Sequence, residues 1–106
     1  MPTLQEEETP IDQQIVNELV ELTPEWWKSA VLEVTFSDVG GVERYSHVIS
    51  SPEGHKEPID PSEALHRATY RLGELFRQHG RRWKSARYEV RLQQGGTWKY
   101  TVNFVY

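Results

Sequence analysis

The sequence predicts an α+β fold: a single domain with the element order α-β-β-α-β-β and a four-stranded antiparallel sheet with two helices packed on one face. Two stretches carry apolar residues every three to four positions, and each is followed by a pair of stretches with alternating apolar and polar residues. The paired stretches are joined by Gly40-Gly41 and Gly95-Gly96, which favour hairpin turns. Each hairpin needs its apolar face covered, so two helices on one side of one sheet are the economical arrangement.

The first helix is predicted to begin at Thr9. Residues 1–8 are polar and acidic, so we expect a disordered N-terminal tail there and a single α+β domain over residues 9–106. Thr9 is suited to cap the free amides, and Pro10 to occupy the first helical position, where no N–H is needed. The apolar stripe of this helix comprises Ile11, Ile15, Val16, Leu19 and Val20.

The helix leads into a corner and two strands. Thr23-Pro24 repeats the cap-then-proline pattern and predicts one further turn, in which we expect one of Trp26 and Trp27 in the core and the other half covered. From Ala30 the apolar residues alternate, as in a strand with one buried face. A second strand, roughly residues 42–50, mixes apolar and polar residues on both faces, which an edge position or a bulge would explain.

The second half of the chain repeats the order of helix and hairpin. Asp60 is predicted to cap the second helix, with Glu63 reaching back toward its amide, and Gly80 to end it in a left-handed conformation. The last strand then places five apolar or aromatic residues on one side. They are Trp98, Tyr100, Val102, Phe104 and Tyr106. We therefore expect this final hairpin to complete the core.

No residue pattern in the sequence identifies a reaction, so we expect no catalytic residue, no cofactor and no metal site. The chain lacks cysteine, and none of its four histidines pair at the i, i+4 spacing of two ligands on one helix face. Glu33 and Glu89 can share the open face of the sheet as paired carboxylates. Neighbouring Arg87 and Arg91 favour instead a solvated ladder of opposite charges.

Charge is distributed unevenly along the chain. The net charge is −4, with 16 acidic and 12 basic residues, and nine of the basic ones lie after residue 63. A small acidic protein is a poor candidate for binding nucleic acid and a better one for binding a basic partner. No apolar run is long enough to span a bilayer, and the N-terminus lacks the basic start of a signal peptide, so we expect a cytoplasmic protein that does not bind a membrane.

The basic cluster around the second helix leaves an alternative open. Tyr70 and Trp83 are interleaved with its arginines, as on an RNA-binding surface. This alternative is a small nucleic-acid-binding module that uses Arg67, Arg71, Arg81, Arg82 and Lys84. The other interpretation, favoured by the net acidic charge, is that the cluster pairs with the acidic first half of the chain.

Four segments together resemble the YezG-like family of small bacterial immunity proteins. They are LTPEWWKSAVLEV, ERYSHVI, EALHRATYRLGELFRQHGRRWKSARYEVRL and GTWKYTVNFVY. The resemblance covers residues 11–106, and the chain departs from the family in a shorter second loop and a basic second helix. The resemblance implies an α+β fold and a protein that binds and neutralises a cognate toxin domain, often a nuclease, encoded beside it. It supplies no catalytic residue.

An acidic surface suits such a partner. A toxin that acts on nucleic acid presents a basic active-site cleft, which an acidic protein can cover after electrostatically steered association. The candidate contacts on the acidic half of the chain are Glu18, Glu21, Glu25, Glu33, Asp38 and Glu43.

Overall fold

The computed structural model describes residues 3–106 and confirms the predicted α+β fold. The elements are α1 (Leu4–Leu22), β1 (Ser29–Val39), β2 (Val42–Ser50), α2 (Glu63–Gln78), β3 (Ser85–Leu92) and β4 (Trp98–Val105). The four strands form one antiparallel sheet in the order β2-β1-β3-β4. The two hairpins are therefore joined through β1 and β3, and β2 and β4 are the sheet edges.

The core lies between the sheet and the two helices, on one face of the sheet. Each strand places alternate residues inward, as the period-two pattern predicted. The strands contribute Ala30, Leu32, Val34, Ala86, Tyr88 and Val90, and the helices contribute Ile11, Ile15, Leu19, Leu65, Leu72 and Phe76, all buried. The β1–β2 turn suits glycine because Gly40 and Gly41 both have positive φ, at +62° and +81°.

Helix α1 begins six residues earlier than predicted, at Leu4 and not at Pro10. Thr3 is its N-cap, and its hydroxyl accepts a hydrogen bond from the Glu6 amide at 3.2 Å. The Thr9 cap is therefore wrong, and so is the disordered tail over residues 4–8, while residues 1–2 lie outside the described part of the chain. Tertiary contacts hold the early turns: Leu4 packs against the core and Glu7 lies 2.8 Å from His79.

The early start places Pro10 inside α1. A proline there lacks the N–H that would bind the Glu6 carbonyl, and its ring crowds that carbonyl. We expect Pro10→Ala to raise the free energy of unfolding by about 1–3 kcal/mol and to increase helical circular dichroism. Urea unfolding checks this, with Gln13→Ala as an exposed control on the same helix. No gain at position 10 would mean that the turns before it are not helical in solution.

Helix α2 is capped by Ser62 and not by Asp60. The Ser62 hydroxyl accepts a hydrogen bond from the Leu65 amide at 3.1 Å, so the predicted Asp60 cap is two residues early. The predicted end at Gly80 is confirmed: its φ is +70°, and the following Arg81 amide binds the Phe76 carbonyl at 2.9 Å. The predicted edge position of β2 is also confirmed, with Val48 exposed on the open face.

Candidate functional site

The six predicted acidic contacts lie on three separate parts of the fold. Glu18 and Glu21 belong to the end of α1, and Glu25 to the turn that follows it. Glu33 lies on the open face of the sheet, away from the helices. Asp38 and Glu43 are Cα partners near the β1–β2 turn. The structure therefore groups the first three in one region and separates the other three from them.

Glu43 differs from the other predicted contacts because its carboxylate is bound within the chain. Arg77 lies 2.6 Å from one of its oxygens and Arg82 lies 3.3 Å from the other. Within residues 3–106, Glu18, Glu21 and Glu25 form no ion pair. The end of α1 thus presents negative charge that this part of the chain does not neutralise.

The charge at the end of α1 opposes local helix stability. The C-terminal end of a helix carries partial negative charge, so basic side chains stabilise it and each acidic one costs about 0.3–1 kcal/mol. The last turn of α1 has no basic residue and contains Glu21. Glu21 therefore lies where the helix dipole disfavours a carboxylate.

A pocket of about 380 Å³ opens beside these carboxylates. The exposed residues Glu21 and Glu25 border it. Its apolar lining includes the buried Trp27 and the half-buried Val20, Pro24, Leu92 and Trp98. The pocket therefore joins the end of α1 to the last hairpin, and its apolar wall meets a negatively charged rim.

The loop between β2 and α2 is fastened to the corner that contains the two tryptophans. The Glu57 carboxylate accepts hydrogen bonds from the indole N–H groups of Trp26 and Trp27, at 2.9 and 3.4 Å. The Glu53 carboxylate accepts a bond from the Lys28 amide at 2.7 Å, and the His55 ring stacks on Trp27. Trp27 is 1% exposed and Trp26 58% exposed, so one is in the core as predicted and the other is more open than expected.

Hydrogen bonds keep these two loop carboxyls ionised. The pKa of Glu57 is lowered by a hydrogen bond from its own backbone amide and, to a smaller extent, by one from Trp26. The pKa of Glu53 is lowered mainly by the hydrogen bond from the Lys28 amide. Both charges lie at the corner that follows the acidic end of α1. Sequence reasoning missed them because the segment has the proline and glycine content of an ordinary connecting loop.

The basic cluster is partly engaged within the chain. Arg67 pairs with Glu63 at 2.5 Å, and Arg71 donates to the side chain of Gln14 at 2.6 Å. Arg82 lies 3.3 Å from Glu43, as part of the group that also contains Arg77. Within residues 3–106, Arg81 and Lys84 form no ion pair. Among the described residues, the predicted pairing of this cluster with the acidic first half of the chain therefore extends across the fold only at Glu43.

The open face of the sheet carries the alternating charges of a solvated ladder. Glu33 and Arg87 are Cα partners across β1 and β3, and Glu89 pairs with Arg91 at 2.6 Å. The carboxylate of Glu89 is therefore matched by a cation. This arrangement favours the ladder over a pair of carboxylates that act in acid–base chemistry.

A groove of about 570 Å³ lies between edge strand β2 and α2, with His47 and His66 in its wall. The Thr69 hydroxyl donates to the His66 carbonyl at 3.0 Å, so its oxygen accepts from His47 Nε2 at 2.8 Å. Burial and the nearby His66 lower the pKa of His47 to about 4, so His47 is neutral at pH 7. Within residues 3–106, no three His, Cys, Asp or Glu side chains form a metal-binding group.

A buried network ties α1 to the sheet. The Tyr88 hydroxyl donates to the Asp12 carboxylate at 2.5 Å, and Asp12 is only 4% exposed. Burial and Asp12 raise the pKa of the half-buried Glu8 to about 8, so at pH 7 Glu8 is largely protonated and donates to Asp12. Tyr88 and Glu8 both donate to the buried Asp12 carboxylate, so we interpret this network as stabilising the fold.

Protonation of Glu8 makes stability depend on pH. Between pH 4.5 and 8 the unfolded chain loses this proton and the folded chain keeps it, so the Glu8 contribution to stability falls as pH rises. We expect Glu8→Gln to be more stable than the parent at pH 8 by about 1 kcal/mol, after allowance for solvent screening, and equal to it near pH 4. Urea unfolding at both pH values measures this. A gain that is the same at both, or that Glu6→Gln reproduces, would contradict it.

Comparison with known proteins found no family model and no curated protein that matches this chain. In the described part of the chain, neither helix is long and apolar enough to cross a membrane.

Proposed function

We propose that this protein is an immunity protein that binds and neutralises a cognate bacterial toxin domain, with a nuclease as the favoured class of toxin. The proposal starts from the four sequence segments that resemble this family. The observation that carries it further is the group of carboxylates of Glu18, Glu21 and Glu25, which have no ion-pair partner within residues 3–106. Glu21 also lies in the last turn of α1, where the helix dipole disfavours a carboxylate.

The acidic end of α1 suits the active-site cleft of a nuclease. Such a cleft attracts phosphates with basic side chains, and the same side chains attract carboxylates. Long-range attraction raises the association rate, and close pairing slows dissociation. Trp26 adds a large exposed aromatic surface at the same corner, and tryptophan is enriched among residues that dominate interface energy. The protein inhibits the toxin by covering this cleft.

The test uses the toxin domain encoded beside this gene. Co-expression of the parent protein should protect cells from the toxin, and the purified proteins should form an inactive complex. Alanine at all six predicted acidic positions should abolish both effects. If that variant folds, binds and protects as the parent does, the acidic surface is not the interface.

A single charge change separates function from stability at the end of α1. We expect Glu21→Gln to raise the free energy of unfolding by about 0.3–1 kcal/mol, because it removes negative charge from the helix C-terminus. The same change should weaken toxin binding about tenfold, because it removes a desolvated charge pair. Urea unfolding and calorimetric titration measure the two effects. Gln13→Lys changes the net charge equally on the same helix and should alter neither, whereas a loss of stability in Glu21→Gln would refute the explanation.

A further inference from the structure

Resting on the immunity function proposed above, we propose that the pocket at the end of α1 binds one lysine or arginine side chain of the toxin and anchors the complex. Two of the six predicted contacts, Glu21 and Glu25, lie at this pocket. Glu18 lies about one turn earlier on α1, and the other three lie elsewhere on the fold.

The pocket has two chemically different parts. Trp27 is 1% exposed and forms a fixed wall, and the half-buried Leu92 and Trp98 continue this wall from β3 and β4. Glu21 and Glu25 are exposed at the border. A volume of about 380 Å³ accommodates one long side chain.

A basic side chain matches both parts of the pocket. Lysine and arginine bury their aliphatic stems along apolar surface while the charged head reaches polar groups. The stem would lie along Leu92 and Trp98. The head would meet Glu21 and Glu25.

The same geometry disfavours other occupants. An acidic side chain would meet two carboxylates of its own sign. A purely apolar side chain would remove water from Glu21 and Glu25 without pairing them, which costs free energy. The net acidic charge of the chain predicts a basic partner, and such a partner carries the lysine or arginine side chain that this pocket fits.

Three variants and one matched control test the anchor in the complex. We expect Glu21→Gln and Glu25→Gln each to weaken toxin affinity about tenfold, and the double variant about 100-fold. Glu6→Gln makes the same charge change at the opposite end of α1 and should leave affinity within about twofold, since an exposed charge away from the interface contributes little. Circular dichroism confirms that each variant is folded. Equal losses at positions 21, 25 and 6 would overturn the pocket and leave only general charge attraction.

A second measurement needs no toxin. Nα-acetylarginine amide and Nα-acetyllysine amide are titrated into the parent protein while the indole signals of Trp27 and Trp98 are followed by NMR. We expect shifts that saturate in the millimolar range, that are absent in the double variant, and that uncharged Nα-acetylnorleucine amide does not produce. No shift at Trp98, or the same shift in the double variant, would overturn the assignment.

The two measurements separate the two proposals. Toxin binding that is insensitive to Glu21 and Glu25 contradicts the anchor and leaves the immunity function standing. Arginine binding at Trp98 without toxin binding supports a cation pocket and contradicts the immunity function.

Discussion

Replacement of Trp27 by alanine is expected to lower the free energy of unfolding by about 3–5 kcal/mol, the range for large aromatic side chains in a core. Trp27 is among the largest fully buried side chains, and it contacts the core, the His55 ring and the Glu57 carboxylate. Domains of this size are stable by about 5–15 kcal/mol, so the loss is a large share of the total. Urea unfolding at pH 7 gives the difference.

The neighbouring Trp26 provides the control for this prediction. Trp26 is 58% exposed, and its indole N–H donates to the Glu57 carboxylate at the surface. We expect Trp26→Ala to cost no more than about 1 kcal/mol, the usual value of a hydrogen bond. Similar losses for the two variants would show that Trp27 is not the buried member of the pair.

Removal of the Tyr88 hydroxyl is the second large effect. We expect Tyr88→Phe to lower the free energy of unfolding by about 2–3 kcal/mol, because the buried Asp12 carboxylate loses a hydrogen-bond donor. The ring is kept, so the loss reports the hydrogen bond and not a cavity. The midpoint of thermal unfolding should shift down by roughly 8–24 °C in a domain of about this length.

Tyr100→Phe is the matched control for Tyr88. The Tyr100 ring is half buried near the same network, and its hydroxyl forms no hydrogen bond within residues 3–106. We expect this change to stay within about 0.5 kcal/mol of the parent, as for other surface substitutions. A Tyr88→Phe variant as stable as Tyr100→Phe would mean that the bond to Asp12 contributes little.

The local part of the fold could be predicted from the sequence. Alternation and paired glycines specify each hairpin, because neighbouring strands are joined by turns of known geometry. The start of α1 could not be predicted, since it depends on contacts distant in sequence, such as Glu7 with His79. Propensity correctly disfavours Pro10 inside a helix, and tertiary packing overrides it.

For the candidate site, the sequence predicted only that the surface would be negatively charged. The acidic bias of the first half suggested Glu18, Glu21 and Glu25, and the structure groups them. The sequence could not show that the Glu43 carboxylate pairs with Arg77 and Arg82, because these ion pairs join β2 to residues more than 30 positions away. The pocket was equally hidden, since Glu21 and Trp98 meet only in the fold.

The most direct test of an interface at the acidic end of α1 is a comparison of two affinities. The toxin domain encoded beside this gene is titrated with the parent protein and with a triple variant, which carries Glu18→Gln, Glu21→Gln and Glu25→Gln. We expect the parent to bind tightly and the folded triple variant to bind at least about 100-fold more weakly, with slower association and reduced salt dependence. Equal affinity and equal protection of cells by the two proteins would contradict an interface at the acidic end of α1.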